Sequence, residues 1–205
     1  MSDSDATSIS LLKAVRQFDQ DACRRMVELY SPLLLIWCQR AGVQPADAAD
    51  IVQDVFSSVF KKIGGFRREK PGDTFRGWLR VILRHKLADH FRRRREMAAA
   101  QGGSTAHALL QELPDPLSLA AEPDFDFGET AEEVQKETEQ VMRRALELIQ
   151  REFEQKTWKA FLGMVVDNRR QADVAADLGI SVGAVRQAKY KVLKRLRSEF
   201  SDLIF

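Results

Sequence analysis

The sequence predicts an all-α protein made of two small helical domains joined by an acidic linker. Three observations predict it. Apolar residues recur at three- and four-residue spacing along most of the chain, and no strand-like alternation interrupts them. Basic residues concentrate in two stretches: thirteen Lys/Arg against three acids from Lys61 to Arg95, and six with no acid between Leu178 and Ser198. Between these stretches, residues 97–128 turn to Ala/Gly/Ser, three prolines and several carboxylates. The expected division is therefore 1–96, 97–128 and 129–205.

In the N-terminal part, Ser8 can cap a helix carrying Ile9, Leu12, Val15 and Phe18 inward. A second helical stretch holds Met26, Val27, Leu29, Tyr30 and Leu33–Trp37, with Pro32 permitting a kink or restart and Ala41-Gly42 ending it. Pro45 opens a third helix, where a proline costs no hydrogen bond. From Ala46 to Ile63 one stripe is apolar: Ile51, Val52, Val55, Phe56, Val59, Phe60 and Ile63. Asp50, Gln53, Asp54 and Ser57 lie on the other side. Gly64–Asp73 reads as an irregular basic loop. Thr74 can cap a fourth helix, with Phe75, Trp78, Leu79, Ile82, Leu83, Leu87 and Phe91 inward. Arg76, Arg80 and Arg84 form an i, i+4, i+8 row on that helix, and four arginines, Arg92–Arg95, close it. A positive excess of this size is an electrostatic footprint for phosphate.

The linker carries Leu109, Leu110, Leu113, Leu117, Leu119, Phe125 and Phe127, too many apolar groups for an inert tether. It is expected to lie against its own domains or a partner. From Glu129 a helix resumes, with Val134, Val141, Met142, Ala145, Ile149 and Phe153 inward. The next presents Trp158, Phe161, Leu162 and Val165, and Asp167-Asn168 break it. Gln171–Arg197 then reads as a helix-turn-helix. Val174, Ala175 and Leu178 face inward, Gly179 supplies a turn, and Ser181 caps a longer helix. Val185, Ala188, Val192 and Leu196 close the core, leaving Val182, Arg186, Gln187, Tyr190 and Lys194 outward. A helix of this kind is expected to enter the major groove of DNA.

The totals are compatible with an intracellular protein. The net charge of +2 averages segments of opposite sign. Cys23 and Cys38 lack metal-binding or redox spacing and read as buried free thiols. The opening MSDSDATS is wrong for a secretory signal, and Leu33–Trp37 is too short to span a membrane. No phosphate-cradling lysine loop, dinucleotide glycine fingerprint or H-E-x-x-H occurs. His85, His90 and His107 have no metal-ligand partners at suitable spacing, and carboxylate-rich 121–139 lacks the spacing of a calcium loop. No enzyme, metal or cofactor is expected.

Asp50-Ile51-Val52-Gln53-Asp54-Val55-Phe56 resembles the D-x-x-Q-x-x-F helix of bacterial RNA polymerase sigma factors of the sigma-70 family, extracytoplasmic-function (ECF) group. Phe75-Arg76-Gly77-Trp78-Leu79, continuing to Asp89-His90-Phe91-Arg92-Arg93, resembles that family's F-R-x-W-L helix. Asp173-Val174-Ala175, Leu178-Gly179-Ile180-Ser181 and Gly183-Ala184-Val185-Arg186 resemble its E-I-A…L-G-I-S-x-G-T-V-K signature. The resemblance spans nearly the whole chain.

It implies a region 2-like and a region 4-like domain, with RNA polymerase core and promoter DNA as partners. Asp50, Gln53, Asp54 and Ser57 would dock on the coiled coil of the polymerase's largest subunit. Phe66, Arg67, Arg68, Arg76, Arg80, Arg84, His85 and Arg92 would hold a melted minus-ten element, Phe66 by stacking, with Trp78 in the core. Arg186, Gln187 and Tyr190 would read the minus-thirty-five duplex, while Lys189, Lys191, Lys194, Arg169 and Arg170 contact phosphate. Arg84-His85 replaces the family's frequent Arg-Asn, and Gln-Ala replaces its common Ser-Arg around Gln187–Lys189, which implies a different promoter sequence. An anti-sigma factor or other regulator is also implied, and a cytoplasmic, membrane-free location. From the residues alone, a stand-alone dimeric helix-turn-helix regulator and a helical adaptor for acidic protein partners are the competing readings.

Overall fold

The computed structural model describes residues 10–69, 73–101, 113, 114, 116 and 130–204, and among them no strand occurs. The helices are α1 (Leu11–Arg16), α2 (Gln20–Arg40), α3 (Pro45–Lys62), α4 (Phe75–Gln101), α5 (Ala131–Gln150), α6 (Gln155–Val165), α7 (Gln171–Leu178) and α8 (Val182–Ile204). A 3-10 turn, Ile63–Gly65, follows α3. Two compact units result: residues 30–138 form one, and residues 1–29 with 139–205 form the other.

Local chemistry sets several helix starts. The Asp19 carboxylate accepts from the Ala22 N–H at 2.8 Å ahead of α2. Thr74 Oγ1 accepts from the Gly77 N–H at 3.0 Å, as its position before the apolar run predicts. Thr130 and Glu133 form a reciprocal capping box at the start of α5. Pro32 does not restart α2, which runs as one helix through it. The carbonyl that its missing N–H leaves free, that of Glu28, instead accepts from Arg144 Nε at 3.0 Å.

In the unit of residues 30–138, α3 packs along α4 through the two predicted stripes. Val55, Val59, Leu79, Leu83, Leu87 and Phe91 are fully buried there. In the other unit, α8 packs on α6, α7 and α1. Ala160, Val174, Ala175, Val185 and Ala188 form the centre of the helix-turn-helix. Gly163 permits this closeness, since a Cβ there would stand 3.0 Å from Val174. Arg25 bridges Glu152 and Glu199, and Arg195 bridges the same two carboxylates.

Some expectations need correction. Ser8 and Ile9 lie outside the described residues, and Phe18 is not inward. It follows α1 with φ +57° and is 66% exposed. The four arginines do not close α4, which continues to Gln101 and buries Ala98 one turn beyond Arg94. Val165 ends α6 past the reach of its core and is exposed. Cys38 is buried, and burial pushes its thiol up to about 11, but Cys23 is only half-buried. Most of residues 97–128 lie outside the described residues. Of the linker's apolar groups, Leu113 is described: its carbonyl accepts from Arg95 Nη1 at 2.8 Å, and the Pro114 carbonyl does so at 3.3 Å.

Candidate nucleic-acid interface

The helix-turn-helix owes its geometry to three residues between its helices. Gly179 adopts φ +60°, the left-handed conformation that ends α7 without a Cβ penalty. Its N–H and that of Ile180 then satisfy the Ala176 and Ala175 carbonyls. Ser181 Oγ accepts from the Ala184 N–H at 3.1 Å and starts α8. Val185, Ala188, Val192 and Leu196 are buried as predicted. Val182 differs from expectation, since it packs against this core rather than facing outward.

Arg186, Gln187, Tyr190, Lys191 and Lys194 form an exposed face, and Tyr190 is 64% exposed. Lys189 is half-buried at its edge. Arg186 Nε donates to Gln171 Oε1 at 2.9 Å, so the first residue of α7 fixes the orientation of this guanidinium. Arg169 pairs with Asp177, and Arg170 Nε donates to Asp173 at 2.9 Å. The Arg170 hydrogen bond holds the Asp173 carboxyl below the usual carboxylate range.

In the unit of residues 30–138, the loop after α3 is shaped by its own cations. Arg67 Nη1 donates to the Gly64 and Phe66 carbonyls at 2.6 and 2.9 Å, and Arg68 Nε donates to the Asp73 carbonyl at 3.1 Å. Asp73 in turn accepts from the Glu69 N–H at 3.0 Å. A groove of about 450 Å³ lies here, lined among others by Phe66, Arg67, Asp73 and Trp78. The burial of the two aromatics departs from expectation. Phe66 is buried, edge-on to Phe75 at 5.4 Å, while Trp78 is only partly buried beside it at 5.1 Å. A loop residue was thus drawn into the core, a tertiary outcome invisible to helical periodicity.

The arginine row of α4 is engaged rather than open. Arg76 Nη1 donates to the Val134 carbonyl and Thr138 Oγ1, both at 3.0 Å. Arg80 Nη2 donates to Glu137 at 3.1 Å and lies over the Trp37 ring, 4.5 Å from its centroid. Arg84 is buried. His85 and Arg92 are exposed, and Arg92 donates to Asp89 at 2.6 Å. Glu137 escaped sequence reading, although it stands one turn before Val141 and two before Ala145 on the inward face of α5. A carboxylate on an apolar stripe was the available signal.

On α3, Asp50, Gln53, Asp54 and Ser57 are all exposed, opposite buried Ile51, Val52, Val55 and Phe56. Among the described residues no cluster of His, Cys, Asp and Glu could hold a metal ion, and no helix is long and apolar enough to cross a membrane.

The family model for Sigma-70 region 2 matches residues 26–97, which include α3, the basic loop and most of α4. Proteins described as ECF RNA polymerase sigma factor SigD, from Mycobacterium bovis and Mycobacterium tuberculosis, are 27% identical over 191 residues. That similarity covers 88% of this chain and 78% of the relatives. Residues 26–97 thus match a sigma-70 region 2 segment, and the chain as a whole is similar to extracytoplasmic-function sigma factors. The matched segment holds Phe66, the arginine row and the Asp50–Ser57 face. The helix-turn-helix lies beyond it. A solved structure of CnrH in complex with the cytosolic domain of CnrY aligns over 95% of this chain and 96% of that one. Its identity is 18% and its TM-score 0.34, too low to carry the comparison further.

Proposed function

We propose that the chain is a dissociable subunit that binds RNA polymerase core and directs promoter-specific initiation. The observation that carries this reading is the order of two surfaces. A sigma-70 region 2 segment with a dense basic helix precedes a helix-turn-helix whose second helix carries no acid from Val182 to Arg197. Residues 1–96 would bind core and the minus-ten element, 129–205 would bind the minus-thirty-five element, and 97–128 would link them.

Each surface suits its assigned ligand. Arg186 and Gln187 can make bidentate contacts to guanine and adenine, and Tyr190 extends the same face. Lys189, Lys191, Lys194, Arg169 and Arg170 would hold phosphates, which position the helix without specifying sequence. At the minus-ten element, the groove beside Trp78 offers an aromatic face and the Arg67 cation to an unpaired base. Trp78 replaces Phe66 as the stacking candidate, because Phe66 is spent inside the protein. Arg68, Arg76, Arg80, His85 and Arg92 would line the path of the strand, whereas Arg84, which is buried, would support the row rather than touch DNA. Asp50, Gln53, Asp54 and Ser57 form the face that would meet the polymerase's largest subunit.

Such a protein performs no catalysis itself, acts in the cytoplasm and is governed by a regulator such as an anti-sigma factor. Transcription by purified core polymerase on a genomic promoter library, with and without the chain, tests the proposal. A set of promoters used only in its presence is expected. A dimer that binds palindromic duplex tightly without polymerase, and opens no promoter with it, would replace this reading by the stand-alone regulator.

A further inference from the structure

Glu137 is 2% exposed and surrounded by donors of one sign. Its Oε1 accepts from the Trp37 indole N–H at 2.7 Å and from Arg40 Nη1 at 2.9 Å. Its Oε2 accepts from Arg80 at 3.1 Å, and Arg76 Nη1 stands 3.9 Å away. One carboxylate thus faces three guanidiniums and an indole. Glu133, 3.9 Å from Arg40, is a second and more distant carboxylate at the edge of the group. Several N–H donors converging on a pair of oxygens is the arrangement that recognises phosphate as readily as carboxylate.

We propose that Arg40, Arg76, Arg80 and Trp37 form a seat for a nucleic-acid phosphate, and that Glu137 occupies it in the free chain. The first two turns of α5 then lie where a strand belongs, and DNA enters only as they leave. Arg40 and Trp37 become binding residues, although they lie on α2 and outside the basic row of α4. This rests on the proposed function for the identity of the strand as promoter DNA; the seat itself needs only an anionic polymer. A single phosphate gains little over Glu137, since both are monoanions. A strand held in place by polymerase presents phosphates at high local concentration, and the exchange turns in its favour.

Glu137→Gln tests the seat, since it keeps the side chain's shape and removes its charge. Binding of single-stranded dT20 to the full chain would be followed by fluorescence anisotropy over a salt series. The variant is expected to bind at least about tenfold tighter. Its log K against log salt should steepen by about 0.7, the release expected for one further phosphate contact on a single strand. Adding Arg40→Ala should bring affinity and slope back toward the wild-type values. A folded Glu137→Gln with wild-type affinity and slope overturns the proposal. Because that variant leaves three cations facing one another, hydrogen exchange of the wild-type chain gives an independent reading. Saturating dT20 should speed exchange at 131–138 and leave 141–149 unchanged, and unchanged exchange at 131–138 overturns the proposal equally. The proposed function fails by a different sign, the absence of promoter use with core polymerase, which does not depend on either dT20 measurement.

Discussion

His90 illustrates how one side chain's surroundings become a property of the protein. Its Nε2 lies 3.7 Å from Asp47, beside Asp50 and Asp54 of α3 and Lys86 and Arg93 of its own helix. Burial, the largest influence, lowers its pKa below the ordinary 6.5; Asp47 opposes this, while Arg94 and Arg93 reinforce it. Between the lowered value and 6.5, the unfolded chain binds more protons than the folded one. Stability therefore rises with pH across that window and is lost as pH falls through it. The wild-type melting temperature should therefore fall as pH is lowered through that window below 6.5. His90→Gln should flatten that drop, and parallel melting curves for the two proteins would remove His90 as its source. None of this was legible in the sequence, where His90 was one of three unpaired histidines. The same holds for Glu137: its partners come from α2 and α4, far away along the chain.

At the scale of the helix, far more could be read beforehand. Gly179, Ser181 and the spacing Val185, Ala188, Val192 and Leu196 are local instructions, and all are realised in the structure. So are the stripes of α3 and α4, because a 3.6-residue period states which face turns inward. Misreadings fell where an element ends or a loop folds back: Phe18, Val165, Phe66 and the run of α4 beyond its arginines. Periodicity says nothing about what a terminus meets. For the recognition helix α8, two substitutions separate base reading from phosphate holding. Arg186→Ala should cost about 1–3 kcal/mol on the preferred promoter and relax preference at one base step. Lys194→Ala should weaken every duplex alike and lower the salt slope by about 0.9. Competition binding of the polymerase-bound chain to a randomised minus-thirty-five library would show both. Equal loss at all sequences from Arg186→Ala would mean that another face of α8 meets the bases.

For the molecule as a whole, the proposed role demands that its surfaces be used in concert with polymerase. Asp54 lies on the exposed side of α3, with its buried neighbours turned the other way. Asp54→Arg should therefore weaken core binding at least about tenfold while shifting the melting temperature by no more than about 2 °C, since surface changes fall within ±0.5 kcal/mol. Wild-type affinity in a core-binding titration would take Asp54 out of the interface. The order of the basic segments, and the family they resemble, were legible from one end of the chain to the other. The division into compact units was not, because α2 and α5 each supply residues to both.

The hydrogen bond between Arg186 and Gln171 has a consequence for inheritance. With Nε engaged by α7, only the outer nitrogens of Arg186 remain to meet a base edge. In the proposed role, a lineage could then redirect this protein to a new set of genes by altering position 171. The helix that touches the DNA would keep every residue it has.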